Sequence, residues 1–395
     1  MFVLCKVTIL ALHLGYGGVE KAISSLSNIL IDKYDVEIIS VYKLYDKPAF
    51  YIDDRVKIKY LLDTELSPNK KELKDAIRTK NPIKILSEGL KSVKILKLKS
   101  SKMIDAIKNI DSGIVISTRI EHNKLLSKYG NKNLITIAQE HTYHNENEKY
   151  IKDLVESCKN IDYFMPVSQM LTDFYKKYFE GTKTNCVFIP HSLDYIPREV
   201  SALESKKIIS IGRLSPEKGF DDLLDVFKIV NNQKKDWKLD IIGDGVLKNH
   251  LINKVKEYSL QNNVIIHGYK DKEFINKQLS SSSIYVMASH EESFGLVLIE
   301  AQSFALPCIA FDSAKGACEI IDDKVNGYLI KDRSKKGKIM AQYHQYYGMK
   351  KAINSVVHAV ENDGRAGVVW HTQGSGKSFS MTFLAGNLVK HSKLN

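Results

Sequence analysis

No run of apolar residues in this 395-residue chain approaches the roughly 20 residues that a membrane-crossing helix needs, so a spanning segment is not expected. Cysteine is scarce: Cys5, Cys158, Cys186, Cys308 and Cys318 are odd in number and show no paired metal spacing. That argues against a disulfide framework and for a reducing, cytoplasmic setting. The apolar N-terminus MFVLCKVTILALHLG has Lys6 in its middle and no small-residue cleavage site, so it reads as a first buried strand and not as a signal peptide. The third glycine of a dinucleotide fingerprint is missing after GYGG, where position 20 is Glu20. No Asp-x-Asp pair follows a strand where a ligand would sit, so neither a metal nor any other cofactor is expected to be required.

What the chain does have is a basic excess, with 58 Lys and Arg against 46 Asp and Glu, a net charge of +12. Much of the excess falls between Asn69 and Lys102, where eleven basic residues face only Glu72, Asp75 and Glu88. Ile83, Ile85, Leu86, Leu90, Val93, Ile95, Leu96 and Leu98 are interleaved with them, which makes the stretch amphipathic. It reads either as a solvated helix face and linker or as a face that docks on an anionic membrane surface. Nucleic acid is the weaker partner, because no aromatic residues accompany the charge.

Short β-branched runs alternate with longer helical patterns. Strands are expected at Val3–Leu12, Val36–Val41, Val56–Leu61, Gly113–Ser117, Leu134–Ala138, Tyr163–Val167 and Cys186–Ile189. A second set is expected at Lys207–Ile211, Leu239–Ile242, Val264–His267, Ile284–Met287 and Cys308–Phe311. Such alternation means parallel sheets with helices on both faces. The rhythm pauses at the polar segment Asp194–Ser205 and restarts, so two doubly wound domains facing a cleft are expected, residues 1–195 and 196–334. Ligands of such sheets sit at the carboxyl ends of strands.

Three motifs occupy such places. GYGGVEK brings Gly17 and Gly18 to the start of a helix, as a tight turn or as a loop that lets an anion approach the backbone. GRLSPEKGF sets Arg213 and Lys218 five residues apart across a turn at Pro216, either solvated or converging on one diphosphate. HEESFGLVLIEAQSFALP places Glu292 before a helix that starts near Gly295 and Leu296, with Glu300 inside it. The first turn of that helix offers free N–H groups to a phosphate. A carboxylate deeper on the same face can accept from ribose hydroxyls.

In this order and spacing GYGGVEKAI, GRLSPEKGF, IIGDG and ESFGLVLIEA resemble the family 4 glycosyltransferases of GT-B fold, over residues 3 to about 334. The resemblance implies a retaining hexosyltransferase-type enzyme. It would move sugar from a UDP- or GDP-sugar to a glycan or lipid-linked acceptor in cell-surface polysaccharide or glycolipid synthesis, at the inner face of the cytoplasmic membrane. It assigns Arg213 and Lys218 to the diphosphate, Glu292 to the donor sugar and Glu300 to the ribose. It sets Gly243 and Gly245 beside the base or ribose, and a histidine of the N-terminal domain near the anomeric carbon. IAQEHTYH offers Glu140, His141 and His144 for that last place; His141 is favoured, and a merely hydrogen-bonded interdomain histidine is the alternative. His191 stands where the family often has Asn.

From about Lys338 the chain resembles another family, the motor subunit of type I restriction enzymes, at the start of its helicase core. HTQGSGKS holds Gly374, Gly376, Lys377 and Ser378, a loop that would cradle ATP phosphates and hold magnesium. About 17 residues follow it, too few for the second acid and the second lobe that hydrolysis needs. Residues 335–395 therefore read as a P-loop helicase fragment joined to a truncated transferase. The rival readings are an ATP- and DNA-binding restriction component or a non-functional fusion.

Overall fold

A computed structural model describes residues 5–331, and the chain divides into two compact units, Met1–Asp194 and Tyr195–Asn395. The whole segment 335–395, with Gly374, Gly376, Lys377 and Ser378, lies outside the described residues, as do Val3 and Leu4.

Unit 1 runs β1 (Lys6–His13), α1 (Gly18–Leu30), β2 (Asp35–Tyr42), β3 (Lys57–Leu62), α2 (Lys70–Arg78), α3 (Pro82–Lys108), β4 (Gly113–Ser117) and α4 (Ile120–Tyr129). It continues with β5 (Leu134–Glu140), α5 (Glu148–Ser157), β6 (Tyr163–Pro166), α6 (Gln169–Phe179) and β7 (Asn185–Cys186). The seven strands order as β3-β2-β1-β4-β5-β6-β7, and every pairing is parallel.

Unit 2 runs β8 (Lys207–Ile211), α7 (Phe220–Gln233), β9 (Lys238–Ile242), α8 (Lys248–Glu257), β10 (Val264–Ile266) and α9 (Lys272–Ser280). Then come β11 (Ile284–Met287), α10 (Leu296–Ser303), β12 (Cys308–Phe311), α11 (Ala317–Ile320) and β13 (Gly327–Ile330). Its order, β10-β9-β8-β11-β12-β13, is again wholly parallel.

Parallel strands are covered by helices on both faces, which is why β1 and β2 bury most of their side chains and read as largely apolar runs. Val7, Ile9, Ile23 and Ile38 pack one core of unit 1. In unit 2, Leu224, Phe227, Leu239 and Ile241 pack between α7 and the sheet. Several helix starts are set by the side chain before them. Asn147, Ser168 and Asp271 each accept from a backbone N–H three residues on, at the heads of α5, α6 and α9.

At three points the structure adds to or corrects the expectations. The basic stretch is two helices: Asn81 accepts from the Lys84 N–H and Pro82 opens α3, so the chain breaks between α2 and α3. The strand expected at Cys186–Ile189 is only the two-residue β7, at the sheet edge, where Val187 N–H still donates to Phe164. β13 was not anticipated, because NGYLI reads as a turn followed by too short a run.

On α3, Ile107 points inward and is fully buried, whereas Leu90 faces solvent. Ile107→Ala should lower unfolding stability by about 2–5 kcal/mol and Leu90→Ala by no more than about 0.5 kcal/mol, measured by urea denaturation. Equal losses would mean that the helix is rotated from this orientation.

Candidate functional site

Strand order reverses between β1 and β4 in unit 1 and between β8 and β11 in unit 2, and loops leaving those strands at their carboxyl ends splay to form a crevice. Gly17, Gly18, Arg213, Lys218 and Glu292 fall at the ends of β1, β8 and β11, whereas Glu140 and His141 lie at the end of β5 and Gly243 and Gly245 follow β9.

In unit 1 the glycine turn after β1 leads directly into α1, with Gly17 at its cap. A Cβ on Gly17 would stand 2.1 Å from a carboxylate oxygen of Glu20, so only glycine permits the carboxylate to fold back over the helix start. Glu20 is buried there and accepts a hydrogen bond from Arg119 Nη2 at 2.8 Å, with His13 Nδ1 at 3.5 Å. The negative charge at this helix N-terminus is therefore the protein's own. Gly18 begins the helix and has open space where a side chain would be. Arg119 follows β4, next to β1 in the sheet, and sequence reasoning missed it. Its place just past a strand end was the available signal.

Glu140 closes β5, and its buried carboxylate accepts from the Thr142 N–H at 2.6 Å and from Tyr150 Oη at 2.9 Å. Burial pushes its pKa up to about 7, against those hydrogen bonds. His141 follows. Its Nδ1 lies 3.2 Å from His191 Nε2 with the rings nearly parallel, 7° apart, while its own Nε2 is buried and meets no protein partner. Burial first, then the neighbouring His191 and Arg119, hold the His141 imidazole well below its usual pKa. Burial holds His191 at about 4. Both rings are neutral, one proton joins them, and the tautomer decides whether the free Nε2 of His141 donates or accepts. His144 is turned away into the aromatic packing, stacked on Phe174 at 4.1 Å.

In unit 2 the loop after β8 is pinned on both sides. Gly212 N–H donates to Ile242, Leu214 N–H to Asp244, and Glu217 carbonyl accepts from His290 N–H at 2.8 Å. Gly219 sits at φ 64°, and a Cβ there would come within 2.0 Å of the Ala288 carbonyl, so the loop closes onto the end of β11 only with glycine. Exposed Arg213 is paired with Glu217 at 2.9 Å. Burial raises the Glu217 pKa, but hydrogen bonds from Ser215 and Arg213 outweigh it and hold the group below its usual value. Lys218 Nζ reaches across to Glu292, 2.6 Å away and partly buried.

Glu292 itself is fixed by its carbonyl, which accepts from Gly316 N–H at 2.9 Å. Three residues on, Gly295 at φ 97° caps α10, and Leu296 begins the helix that carries Glu300. Both Glu292 and Glu300 lie close enough to Tyr285 to help raise its phenol pKa, which burial raises most. The Tyr285 hydroxyl donates to the Ile211 carbonyl at 3.2 Å and so ties β11 to the end of β8. Gly243 and Gly245 follow β9, with Gly245 against the Leu214 backbone. One end of the sheet thus carries a lysine–carboxylate pair, a free guanidinium edge, a helix N-terminus and a second carboxylate. That set suits a diphosphate joined to hydroxyl-bearing sugars. Among the described residues, no group of three His, Cys, Asp or Glu could hold a metal ion.

Residues 194–341 match the family model described as glycosyl transferases group 1, and residues 344–395 match the SWI2/SNF2 ATPase model. The chain is 28% identical over 343 residues to the amylovoran biosynthesis glycosyltransferase of Erwinia amylovora, covering 80% of this chain and 82% of that protein. Similarity to the 4-alpha-N-acetylgalactosaminyltransferase of Campylobacter jejuni that acts on a diphospho-undecaprenol glycan is 27% identity, covering 82% and 86%. A Streptomyces coelicolor exopolysaccharide phosphotransferase is 25% identical over 80% of this chain, which spans only 34% of that protein.

Among solved structures, TarM of S. aureus with UDP and alpha-GlcNAc-glycerol superposes with a TM-score of 0.66 at 16% identity, covering 99% of this chain and 97% of that one. The lipopolysaccharide outer core galactosyltransferase WaaB gives 0.58 at 19%, covering 87% and 91%. The chain thus carries a glycosyl transferases group 1 domain, and its fold is that of GT-B proteins. It is a glycosyltransferase.

The raised Glu140 pKa has a sign. A carboxyl that binds its proton more tightly folded than unfolded loses stability as pH rises from about 4.5 to about 7. Glu140→Gln should therefore gain stability relative to the parent on going from pH 5.5 to pH 8, by up to about 2 kcal/mol. The melting-temperature difference between the two proteins, followed across that range, checks it; a constant difference counts against the buried acid.

Proposed function

We propose that this glycosyltransferase takes its sugar from a nucleoside diphosphate donor, UDP-sugar before GDP-sugar, and transfers it with retention to a glycan or lipid-linked acceptor of surface polysaccharide or glycolipid synthesis. Residence in the cytoplasm, at the inner face of the membrane, belongs to the same proposal. The observation that carries it is the Lys218–Glu292 pair at 2.6 Å beside the start of α10. The UDP-bound TarM structure and the transferases of glycan synthesis among the relatives support it.

The bond that breaks joins the anomeric carbon to a β-phosphate oxygen, and the bond that forms joins that carbon to the acceptor hydroxyl oxygen. The hydroxyl proton passes to the departing phosphate. Negative charge grows on that phosphate, where Lys218, Arg213 and the N–H groups behind Gly295 and Leu296 would stabilise it. Glu292, released from Lys218 by the incoming phosphate, would accept from donor-sugar hydroxyls and Glu300 from the ribose. Gly243 and Gly245 would leave room for the nucleoside, and the glycine turn at Gly17 and Gly18 would lie near the donor phosphate and the acceptor. Neutral His141 would offer Nε2 to a sugar hydroxyl, with no charge to compete for the phosphate.

The SWI2/SNF2 match favours a second reading for the tail, ATP held by Gly374, Gly376, Lys377 and Ser378 with magnesium, in a fragment of restriction-motor type. One experiment separates the two. UDP at about 100 times its dissociation constant should stabilise the chain by about 2.7 kcal/mol in a thermal-shift assay. The shift should vanish in Glu300→Ala and survive in Lys377→Ala. Lys218→Ala should slow sugar transfer by about 10²-fold. Full turnover in both Glu300→Ala and Lys218→Ala would remove the donor assignment. A shift with ATP alone, lost in Lys377→Ala, would make the tail the nucleotide site.

A further inference from the structure

The first three turns of α3 are built inside out. On the inward side Glu88 is tied to Asn69, whose Nδ2 donates to the Glu88 carboxylate at 2.7 Å and to its carbonyl at 2.9 Å, while Ser92 Oγ donates to Asn69 Oδ1 at 2.8 Å. On the outward side Ile83, Leu86, Leu90 and Val93 follow one another at steps of three, four and three residues, which sets them in one row. They are exposed by 81%, 66%, 64% and 51%. Exposed Ile77 on α2 adds to the apolar surface of the same helix pair. A helix that hydrogen-bonds polar groups inward and hands its aliphatic row to water keeps that row for something it meets later.

The charge around the row says what that is. Lys84, Lys91, Lys94 and Lys97 fringe or extend it and are exposed, and α2 adds Lys70, Lys71, Lys74 and Arg78. The exposed acids of this helix pair before Lys97 are Glu72 and Asp75 alone, since Glu88 is turned to Asn69. A second copy of the same face would meet it with like charge. A nucleic acid backbone would use the lysines and leave the aliphatic row wet. A bilayer uses both. Aliphatic tips enter the boundary between headgroup and acyl chain, about 5–10 Å deep, and lysine stems reach up to phosphates. No helix among the described residues is long and apolar enough to cross a membrane, so the hairpin would lie on the surface.

We propose that α2 and α3 dock this chain on a bilayer rich in anionic phospholipid, with Ile83, Leu86, Leu90 and Val93 inserted and Lys84, Lys91, Lys94 and Lys97 paired with lipid phosphates. The inference rests on the membrane residence proposed above, and not on the transfer chemistry.

Co-sedimentation of the full chain with vesicles tests it. Vesicles of phosphatidylcholine with roughly a third phosphatidylglycerol should retain the chain, pure phosphatidylcholine should not, and raised salt should release it. Leu86→Ser with Leu90→Ser, both on the surface, should weaken binding at least about tenfold without moving the melting temperature. Glutamine at the four lysines should weaken it by about tenfold or more and flatten the salt dependence. Equal binding to neutral and anionic vesicles, or binding unchanged in the leucine variant, would overturn the proposal. So would a dimer in light scattering that the leucine variant dissolves, since a second copy would then be the occupant. UDP stabilisation measured on the leucine variant keeps the readings apart: it should persist, and its absence in variant and parent alike would sink the donor site while leaving vesicle binding to stand or fall alone.

Discussion

Every strand in both sheets runs in one direction, and both faces of each sheet are covered, so the frontage left to polar chemistry is the row of strand ends. That constraint gathers residues far apart in the chain. In unit 2 it sets Lys218, from the loop after β8, against Glu292 from the loop after β11. In unit 1 it sets Glu20 against Arg119 across a sequence separation of 99. The charge pair that unit 2 offers to a phosphate rests on the meeting of Lys218 with Glu292, which come from two different loops.

The two units manage charge differently. In unit 1 the start of α1 is already answered by the Glu20 carboxylate, which in turn is held by Arg119. Glu140 and the His141–His191 pair are buried so deeply that their neutral forms prevail, the acid below pH 7 and the rings throughout the neutral range. In unit 2 the cation–carboxylate pairs Arg213–Glu217 and Lys218–Glu292 lie at the sheet end. An incoming diphosphate can exchange with a carboxylate partner there, one anion for another, without uncovering a buried charge.

Much of this was legible in the sequence, for a physical reason. Parallel strands buried on both faces are written as uninterrupted apolar runs, so β2, β4, β8 and β11 could be located to within a residue or two. The glycines and glutamates of the loops were also visible as residues. Their partners were not. That Lys218 would turn to Glu292, that Tyr285 would reach the Ile211 carbonyl, and that Arg119 would matter at all follow from strand order, which a linear reading does not contain. β13 escaped because four residues after a turn carry no period to detect.

The helix α3 shows the limit from the other side. Its sequence is amphipathic, and amphipathicity by itself says that one face is apolar without saying which way that face points. Ordinarily the core claims it. Here Asn69, at the head of α2, donates to the Glu88 carboxylate and carbonyl and accepts from Ser92 Oγ, so the inward side of the first half of the helix is polar. Farther along, Ile95, Met103, Ala106 and Ile107 return to the core, so the same helix is anchored at one end and turned outward at the other. The exposed row of aliphatic side chains lies opposite those polar contacts.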